Sequence, residues 1–451
     1  MKICIIGTGY VGLVTGISLA ALGHKVICVD NDKHKISTIN NGISPFYEPG
    51  LEAILKKLLR KNNLFATEDL EKSVKGSDII IIAVGTPTVK GKIDLSFIKK
   101  ASRQIGRAML KTNKYQVVAV KSTVLPGVSE KIVKPMIEKY SKREVAKDFG
   151  LCMNPEFLRE GSALEDALNP DRIIIGRIDD KSGKEFAKIY KKVSVPKLFT
   201  NLSTAEMTKY ASNALFATLI SYSNEIARIS EKTEGVDVID VWAGVHLDKR
   251  LNPFQGKIKI KPGVLSYIFS GCGFGGSCFP KDTKALLGFA NDQGVQASLI
   301  KSVIDINNTQ PHQLLILLKN VLGDDLREKR IAILGLSFKP NTDDIRESPS
   351  LQIIKKLLAE KVKLICHDPF VYKSITPNSL QDRSIVLAKN IKEAIINADA
   401  VIIITAWDEY IKLSPRFFKK YMKKPIVIDG RRIYDKSSFI NAGIIYKGIG
   451  L

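Results

Sequence analysis

The stretch KICIIGTGYVGLVTGISLAALGHKVICVD, residues 2–30, decides the fold of the chain. An apolar run at residues 2–6 leads into a G-x-G-x-x-G pattern and an apolar helical segment, and a second strand-like run follows. In such a unit Gly7 permits a tight turn, Gly9 lets the backbone approach a pyrophosphate, and Gly12 lets helix and strand pack closely. The free amides at the start of the helix favour phosphate, so the stretch predicts a dinucleotide site.

The second strand-like run, residues 25–30, ends in Asp30. A carboxylate at this position accepts hydrogen bonds from the ribose hydroxyls of adenosine and repels a 2′-phosphate, so it favours NAD over NADP. The alternative is a glycine turn beside a surface aspartate, which leaves the agreement of strand, turn, helix and acid to chance. We therefore predict NAD as the cofactor.

Three loops follow strand-like runs of the same predicted sheet, and they read VGTPT (84–88), KSTV (121–124) and NPEFLREG (154–161). Ligands of open α/β sheets bind beyond the carboxyl ends of the strands. We therefore expect four polar residues of these loops near the nicotinamide: Thr86, Thr123, Glu156 and Glu160.

A long segment without proline starts near residue 200 and predicts a helix that links two lobes. Ser203 and Glu206 fit a capping box at its start. Lys209 and Asn213 are four residues apart and share one face of this spine helix, where an ammonium and an amide can jointly stabilise an oxyanion. The alternative for this pair is a solvated polar stripe.

Strand-like runs occur in both halves of the chain, which predicts an α/β fold of two doubly wound, Rossmann-like domains joined by the long helix and a helical connector. We place an NAD-binding domain at residues 1–200, a central helical domain with the cysteine loop at 201–310, and a second α/β domain at 311–451. The runs after the first two lie at residues 78–84, 116–120, 151–153, 331–334, 363–366, 400–405 and 425–428.

The segment GFGGSCFPKD, residues 273–282, predicts a reactive thiol. Its glycines bring the backbone close to a ligand, and Pro280 indicates the first turn of a helix. Cys278 thus precedes a helix start, with Lys281 nearby, and both features favour the thiolate. Most cysteines are small buried hydrophobic residues, and Cys4 fits that description.

The composition favours a cytoplasmic protein without a membrane span. No apolar stretch is long enough to cross a bilayer. The six cysteines are scattered along the chain, as expected in a reducing compartment. The formal net charge of +23 raises nucleic acid as a partner, but the lysines are spread along the whole chain and no nucleic-acid motif accompanies them. We favour a solvated basic surface and no nucleic-acid partner.

Several long motifs resemble the nucleotide-sugar 6-dehydrogenase family, and within it the UDP-glucose 6-dehydrogenases. The resemblance implies NAD-dependent oxidation of the C6 alcohol of UDP-glucose to a carboxylate, through a thiohemiacetal and a thioester on Cys278 and with no metal ion. It also implies a homodimer that shares the spine helix, so that residues 201–310 form the dimerisation domain and residues 311–451 the UDP-sugar-binding domain. The motifs are GTGYVG, VGTPT, KSTVLPG, NPEFLREGSALEDALNPDRIIIG, KYASNALFAT, GFGGSCFPKD, GLSFKPNTDDIRESPS and DGRRIYD.

The same resemblance implies roles for individual residues. A water held by Thr123, Glu156 and Asp282 takes the hydroxyl proton, and Lys209 with Asn213 stabilises the alkoxide. The residues that it assigns to the UDP-sugar are Glu156, Phe157, Leu158, Lys209, Asn213, Tyr267, Gly275, Lys339 and Arg431. The residues that it assigns to NAD are Gly7, Gly9, Tyr10, Val11, Gly12, Asp30, Lys35, Thr86, Pro87, Thr123, Glu160, Lys281 and Arg346.

One departure from the family pattern concerns the neighbouring subunit. The family's usual arginine before the catalytic cysteine, which reaches the substrate of the neighbouring subunit, aligns with Pro262, and Arg250 or Lys261 is expected to replace it. Two alternatives to UDP-glucose oxidation stay open. One is the same chemistry on another nucleotide sugar, such as GDP-mannose or a UDP-N-acetylhexosamine. The other is a catalytically silent nucleotide-binding regulator, against which the intact set of reactive residues argues.

Overall fold

The structure is a computed structural model that describes residues 1–89, 92–252, 254–255, 258–259, 262–371 and 385–451. These residues form two compact units, Met1–Ser212 and Asn213–Leu451. The division into three domains at residues 200 and 310 stays a prediction. Among the described residues, no helix has both the length and the apolar character that crossing a bilayer requires.

The first unit is a strand–helix alternation built on a single large sheet. Its strands are β1 (Lys2–Ile6), β2 (Lys25–Val29), β3 (Leu64–Thr67), β4 (Ile79–Ile82), β5 (Thr88–Val89), β6 (Lys92–Ile93), β7 (Gln116–Val120), β8 (Phe149–Met153), β9 (Ile173–Arg177) and β10 (Lys197–Thr200). Its helices are α1 (Tyr10–Ala21), α2 (Lys33–Asn40), α3 (Leu51–Arg60), α4 (Leu70–Gly76), α5 (Ser96–Met109), α6 (Lys134–Ser141), α7 (Ala163–Leu168) and α8 (Asp180–Ala187), and α9 (Leu202–Ser230) continues into the second unit.

The large sheet has the strand order β10-β9-β8-β7-β4-β1-β2-β3. The six neighbouring strands β3, β2, β1, β4, β7 and β8 are parallel, whereas β9 pairs antiparallel with β8. The order reverses between β1 and β4, and a crevice at the carboxyl ends of such a pair is the usual ligand site of this topology. Both faces are covered by apolar side chains, because Ile3 and Ile5 pack into one core while Cys4 and Ile6 pack into another.

The second unit repeats the architecture. Its strands are β11 (Phe254–Gln255), β12 (Ile258–Lys259), β13 (Arg330–Leu334), β14 (Lys363–His367), β15 (Ile385–Leu387), β16 (Ala400–Ile403), β17 (Ile426–Asp429) and β18 (Ile445–Gly448). The six strands β13 to β18 form a parallel sheet in the order β15-β14-β13-β16-β17-β18, which reverses between β13 and β16, and β11 and β12 pair separately and antiparallel. The helices are α10 (Val238–His246), α11 (Phe279–Asp292), α12 (Ser298–Thr309), α13 (His312–Leu322), α14 (Pro349–Ala359), α15 (Ile391–Ile395), α16 (Asp408–Ile411), α17 (Pro415–Tyr421) and α18 (Lys436–Asn441).

The predicted fold class is confirmed: two parallel-sheet, Rossmann-like folds and the long helix α9 are present. The predicted runs at residues 2–6 and 116–120 match β1 and β7 at both ends, and the others match to within a few residues. The helical connector contains α10, α11 and α12.

The predicted capping box of α9 is wrong. The helix begins at Leu202, and the backbone N–H of Thr204 donates to Asn201 Oδ1 at 2.7 Å, so Asn201 is the capping residue. Glu206 instead accepts from the backbone N–H groups of Gly127 and Ser129, at 2.6 and 2.8 Å. The side chain is buried against the KSTVLPG loop, and a tertiary contact has replaced the local one.

Candidate active site

The glycine loop of the first unit has the geometry of a dinucleotide site. Gly7 has a φ of +97°, and a Cβ there would lie 2.6 Å from the carbonyl oxygen of Ala83. A Cβ on Gly12 would collide with the carbonyl oxygen of Gly7. A Cβ on Gly9, at the N-cap of α1, would meet no protein atom within 4 Å. Two glycines are therefore required by the protein itself, and the third leaves open space at the positive end of α1.

Asp30 follows β2 and is bound to the same loop. Its Oδ2 accepts from the backbone N–H and the hydroxyl of Thr8, at 2.8 and 2.6 Å. Its Oδ1 accepts from the backbone N–H groups of Asn31 and Asp32. Burial favours a higher pKa for Asp30, but these bonds and the charge of Lys35 lower the pKa overall. The acid is thus ionised and fixed beside the glycine loop.

Glu48 connects the start of α1 to the NPEFLREG loop and was missed from the sequence. It is buried, accepts from the hydroxyl of Tyr10, and accepts from the backbone N–H of Gly161 at 2.8 Å. Burial and the hydrogen bond to Glu48 raise the pKa of Tyr10. The sequence offered little signal for Glu48, because it lies in a segment between α2 and α3 without a motif.

The structure brings two of the predicted strand-end loops together. Thr86 Oγ1 donates to the backbone carbonyl of Thr123 at 2.8 Å, and Thr86 is buried. Pro87 lies in the same loop, and its carbonyl accepts from the backbone N–H of Asp94 at 2.8 Å. Two of the hydroxyl residues expected at the nicotinamide therefore belong to one hydrogen-bonded cluster.

Glu156 and Lys209 form a buried ion pair. Lys209 Nζ lies 2.8 Å from Glu156 Oε1, and each side chain is only 4% exposed. The other carboxylate oxygen accepts from the backbone N–H of Leu158 at 2.6 Å. Burial favours a higher pKa for Glu156, but the charge and hydrogen bond of Lys209 lower it overall. Lys209 Nζ also lies 5.5 Å from the ring centre of Phe157.

Lys121 is a second buried lysine beside this pair, and it was not among the predicted site residues. Its Nζ donates to Asn154 Oδ1 at 2.9 Å, and Asn154 Oδ1 also accepts from the hydroxyl of Tyr190. Burial is the main cause that lowers the pKa of Lys121 to about 8, with Glu156 opposing the shift and Lys209 adding to it. A lysine directly after the buried strand β7 was the available signal for it.

Asn213 and Asp282 form a matching pair in the second unit. Asn213 Nδ2 donates to Asp282 Oδ2 at 2.6 Å, and Asp282 is 1% exposed. The other oxygen of Asp282 accepts from Lys281. Asn213 follows Lys209 by one turn of α9. The helix therefore offers an ammonium and an amide on consecutive turns, and each is bonded to a buried carboxylate.

Cys278 occupies the predicted place at a helix start. It is the N-cap residue of α11, and Pro280 lies in the first turn. Its Sγ is 3.6 Å from Ser277 Oγ. All six cysteines lie in the described part of the chain, and none of them forms a disulfide; Cys278 is partly exposed, whereas the other five are buried.

The predicted sugar contacts of the second unit lie in or beside its glycine loops. Tyr267 stacks on Phe216 with ring centres 4.4 Å apart. A Cβ on Gly275 would lie too close to the carbonyl of Glu347. Arg431 donates to the carbonyl oxygens of Ile404 and Phe338, at 2.6 and 3.3 Å, and Lys339 Nζ lies 5.5 Å from the Phe338 ring centre.

Four further predicted positions have clear surroundings. Lys35 Nζ lies 4.0 Å from Asp32 Oδ2. Glu160 is buried in the NPEFLREG loop. Arg346 binds Asp344 through two nitrogens, at 2.8 and 2.7 Å. Arg250 is exposed and binds Asp248 at 2.5 Å, whereas Lys261 lies outside the described residues.

The first unit has a glycine loop to which the carboxylate of Asp30 is hydrogen-bonded. Each unit has a Rossmann-like sheet, and the second unit also has a thiol at the start of a helix. Together these features define an NAD-dependent oxidoreductase. Comparison with known families gives three matches, all described as the UDP-glucose/GDP-mannose dehydrogenase family. They are its NAD binding domain at residues 1–194, its central domain at 203–309 and its UDP binding domain at 332–436. The chain belongs to the UDP-glucose/GDP-mannose dehydrogenase family.

Individual relatives are similar over nearly their full length. The chain is 39% identical to the UDP-glucose 6-dehydrogenase TuaD of Bacillus subtilis, and the match covers 100% of this chain and 93% of the relative. A UDP-glucose dehydrogenase structure from Pyrobaculum islandicum matches with a TM-score of 0.89 and 36% identity, over 99% of this chain and 97% of that one. A UDP-D-ManNAc dehydrogenase structure from Pyrococcus horikoshii matches with a TM-score of 0.84 and 29% identity, over 100% and 99%.

The glycine loop allows a matched test of the cofactor site. Gly9→Ala fits the backbone and the open space, so we expect unchanged thermal stability but NAD binding weakened by about tenfold or more, because the methyl group enters the space left for the ligand. Gly12→Ala forces a clash with Gly7 and should cost about 1–3 kcal/mol of stability. Calorimetric NAD titration and thermal unfolding measure the two effects, and equal NAD affinity of Gly9→Ala and the natural chain would contradict this assignment.

Lys121 should make stability depend on pH in a particular direction. Its folded pKa of about 8 lies below the unfolded value, so between these values only the unfolded chain holds the proton, and stability rises with pH. Lys121→Met removes this contribution. We expect its unfolding free energy relative to the natural chain to fall by about 2 kcal/mol from about pH 7.5 to about pH 10.

Urea unfolding followed by circular dichroism measures that difference. Lys100→Met, at an exposed lysine of α5 in the same unit, is the control and should show no such pH dependence. A relative stability of Lys121→Met that is constant over this range would mean that Lys121 titrates like a surface lysine.

Proposed function

We propose that the chain oxidises the C6 alcohol of UDP-glucose to the carboxylate through a covalent intermediate on Cys278. The observation that carries the proposal is the pair of donors on consecutive turns of α9, Lys209 and Asn213, each bonded to a buried carboxylate. Fixed, buried donors stabilise a developing oxyanion far better than mobile solvent does.

The cofactor proposal assigns NAD to the first unit. When bound, NAD accepts one hydride from the sugar carbon in each of two oxidations. The amides at the start of α1 hold the pyrophosphate beside Gly9, and Asp30 holds the adenosine ribose. The other residues proposed to hold NAD are Gly7, Tyr10, Val11, Gly12, Lys35, Thr86, Pro87, Thr123, Glu160, Lys281 and Arg346.

In the first oxidation the chain must remove a hydroxyl proton. We assign this to a water held by Thr123, Glu156 and Asp282, because an ionised carboxylate accepts a hydrogen bond from the water that takes the proton. Lys209 and Asn213 stabilise the alkoxide while it exists. The buried ammonium of Lys121 adds positive charge near the Glu156–Lys209 pair and favours the same state.

The second oxidation uses Cys278 as a nucleophile. The thiolate forms a C–S bond to the aldehyde carbon, and the aldehyde oxygen takes a proton to give a thiohemiacetal. Loss of the second hydride and of the hydroxyl proton leaves a thioester. Water then attacks the thioester carbon, the C–S bond breaks, and the electron pair returns to sulfur. In sum, one alcohol, one water and two NAD give one carboxylate, two NADH and three protons.

The second unit supplies the nucleotide site in this proposal. Its sheet has the Rossmann order, and residues 332–436 match the family's UDP binding domain. The residues proposed to contact UDP-glucose, besides the reacting groups, are Phe157, Leu158, Tyr267, Gly275, Lys339 and Arg431. A thiol that must stay reduced also agrees with the cytoplasmic location predicted from the cysteine pattern.

One further substrate class is supported by a particular observation. The UDP-D-ManNAc dehydrogenase of Pyrococcus horikoshii covers the whole chain with a TM-score of 0.84, although its identity of 29% is below the 39% of the UDP-glucose 6-dehydrogenase TuaD. UDP-glucose is therefore our first choice, and a UDP-N-acetylhexosamine is the second.

A screen of NADH formation with purified nucleotide sugars tests the proposal. We expect UDP-glucose to give two NADH per sugar and the highest kcat/KM, and GDP-mannose to give little. The same yield from a UDP-N-acetylhexosamine with a higher kcat/KM would identify that sugar as the substrate. Absence of NADH with every nucleotide sugar would support a binding protein instead.

Cys278→Ala tests the covalent step. Without the thiolate the aldehyde has no nucleophile, so we expect acid production to be lost while NAD affinity is kept. Mass spectrometry of the sugar product and calorimetric NAD titration measure the two properties. Sustained formation of two NADH per sugar by this variant would contradict the covalent scheme.

We also propose a homodimer that shares α9. The helix exposes an apolar stripe that includes Leu215, Tyr222 and Ile229 at seven-residue spacing. Leu215→Glu should shift the molecular mass in solution from dimer to monomer, because a charge in an apolar interface is costly. Leu110→Glu is the matched control, since Leu110 is 55% exposed and Leu215 is 54% exposed. Light scattering after size exclusion measures the mass, and a dimeric Leu215→Glu variant would contradict this interface.

A further inference from the structure

The loop that leads to Cys278 is held by side-chain amides of its own unit. Asn307, on α12, uses both ends of its amide on one residue of this loop: its Oδ1 accepts from the backbone N–H of Phe274 at 2.8 Å, and its Nδ2 donates to the carbonyl oxygen of Phe274 at 3.0 Å. Asn307 and Phe274 are both buried. The contact reproduces the two-bond pairing of a β-ladder with a side chain in place of a strand.

Two further amides hold the loop at Gly271. The backbone N–H of Gly271 donates to Asn224 Oδ1 at 2.8 Å, and Gln310 Nε2 donates to the Gly271 carbonyl at 2.8 Å. Asn224 and Gln310 are fully buried. Both polar groups of Gly271 and both of Phe274 are therefore satisfied by side chains, so the loop cannot shift without leaving buried groups unpaired.

Only a few residues separate the amide-bound Phe274 from the thiol of Cys278. Gly273 has a φ of +100°, and a Cβ there would lie 2.9 Å from Asn307 Oδ1, so only glycine lets the amide approach. Phe274 packs edge-on against Phe279, the first residue of α11, with ring centres 5.9 Å apart. Phe274 and Phe279 flank Cys278 in the chain, so fixing Phe274 fixes the position of the thiol.

We infer that Asn307 is a positioning residue for Cys278, and that its amide acts on the second oxidation but not on the first. The inference rests on the function proposed above, in which only the aldehyde step needs the thiol. A displacement of about 1 Å in a reacting group can cost about a hundredfold in rate. Neither an isolated structural defect nor a general loss of stability would divide the two oxidations in this way.

The experiment compares both half-reactions in Asn307→Ala. Single-turnover NADH formation from UDP-glucose reports the first oxidation, and NADH formation from the UDP-glucose 6-aldehyde reports the second. We expect the aldehyde rate to fall on the order of a hundredfold and the alcohol rate to stay within about threefold. Asn308→Ala is the matched control, because Asn308 is the next residue of α12 and is exposed.

A second variant covers a failure of the first to fold. Asn307→Asp keeps the size of the side chain but places a carboxylate oxygen against the Phe274 carbonyl, and it should slow the aldehyde step in the same way. Circular dichroism and thermal unfolding of the full chain show whether each variant is folded. Equal slowing of both half-reactions, or natural aldehyde rates in both folded variants, would overturn the inference. Failure of the natural chain to oxidise the aldehyde would instead overturn the proposed function.

Discussion

The buried ion pair between Glu156 and Lys209 is the interaction around which the candidate site of the first unit is arranged. Two opposite charges that are only 4% exposed gain little net stability, because their desolvation offsets their attraction. The pair is nonetheless supported by a backbone N–H from Leu158 and by the charge of a further buried lysine, Lys121. An arrangement that gains little stability yet concentrates positive charge fits the role proposed for this site, which is to stabilise an anion.

The fold explains how these charges can be buried at all. Lys121 and the NPEFLREG loop follow adjacent parallel strands, β7 and β8, whose carboxyl ends meet at one edge of the sheet. Lys209 reaches the same loops from α9, and Glu206, three residues earlier on that helix, binds the backbone of the KSTVLPG loop. The helix α9 thus both fixes a strand-end loop and supplies the ammonium. The position of the Lys209 ammonium relative to the Glu156 carboxylate therefore depends on the position of α9.

Much of the fold and of the candidate site was predictable from the sequence, and the predictions that were wrong or missing share a physical cause. The strands and glycine loops follow from local rules, because β-branched runs are buried on both faces and Gly7 needs a positive φ. The predicted capping box is wrong because Glu206 accepts hydrogen bonds from a distant loop instead of from its own helix. Lys121, Glu48 and Asn307 were missed for the same reason, since their partners lie 33 or more residues away in the chain.

The most direct test removes the charges of the pair one at a time. Lys209→Met leaves the Glu156 carboxylate buried without its ammonium and should cost about 3–5 kcal/mol of unfolding free energy. Adding Glu156→Gln removes the stranded charge, so the double variant should regain most of that stability. Its NADH formation should nevertheless stay about a hundredfold or more below that of the natural chain. A stable double variant with natural turnover would show that the pair serves the fold alone.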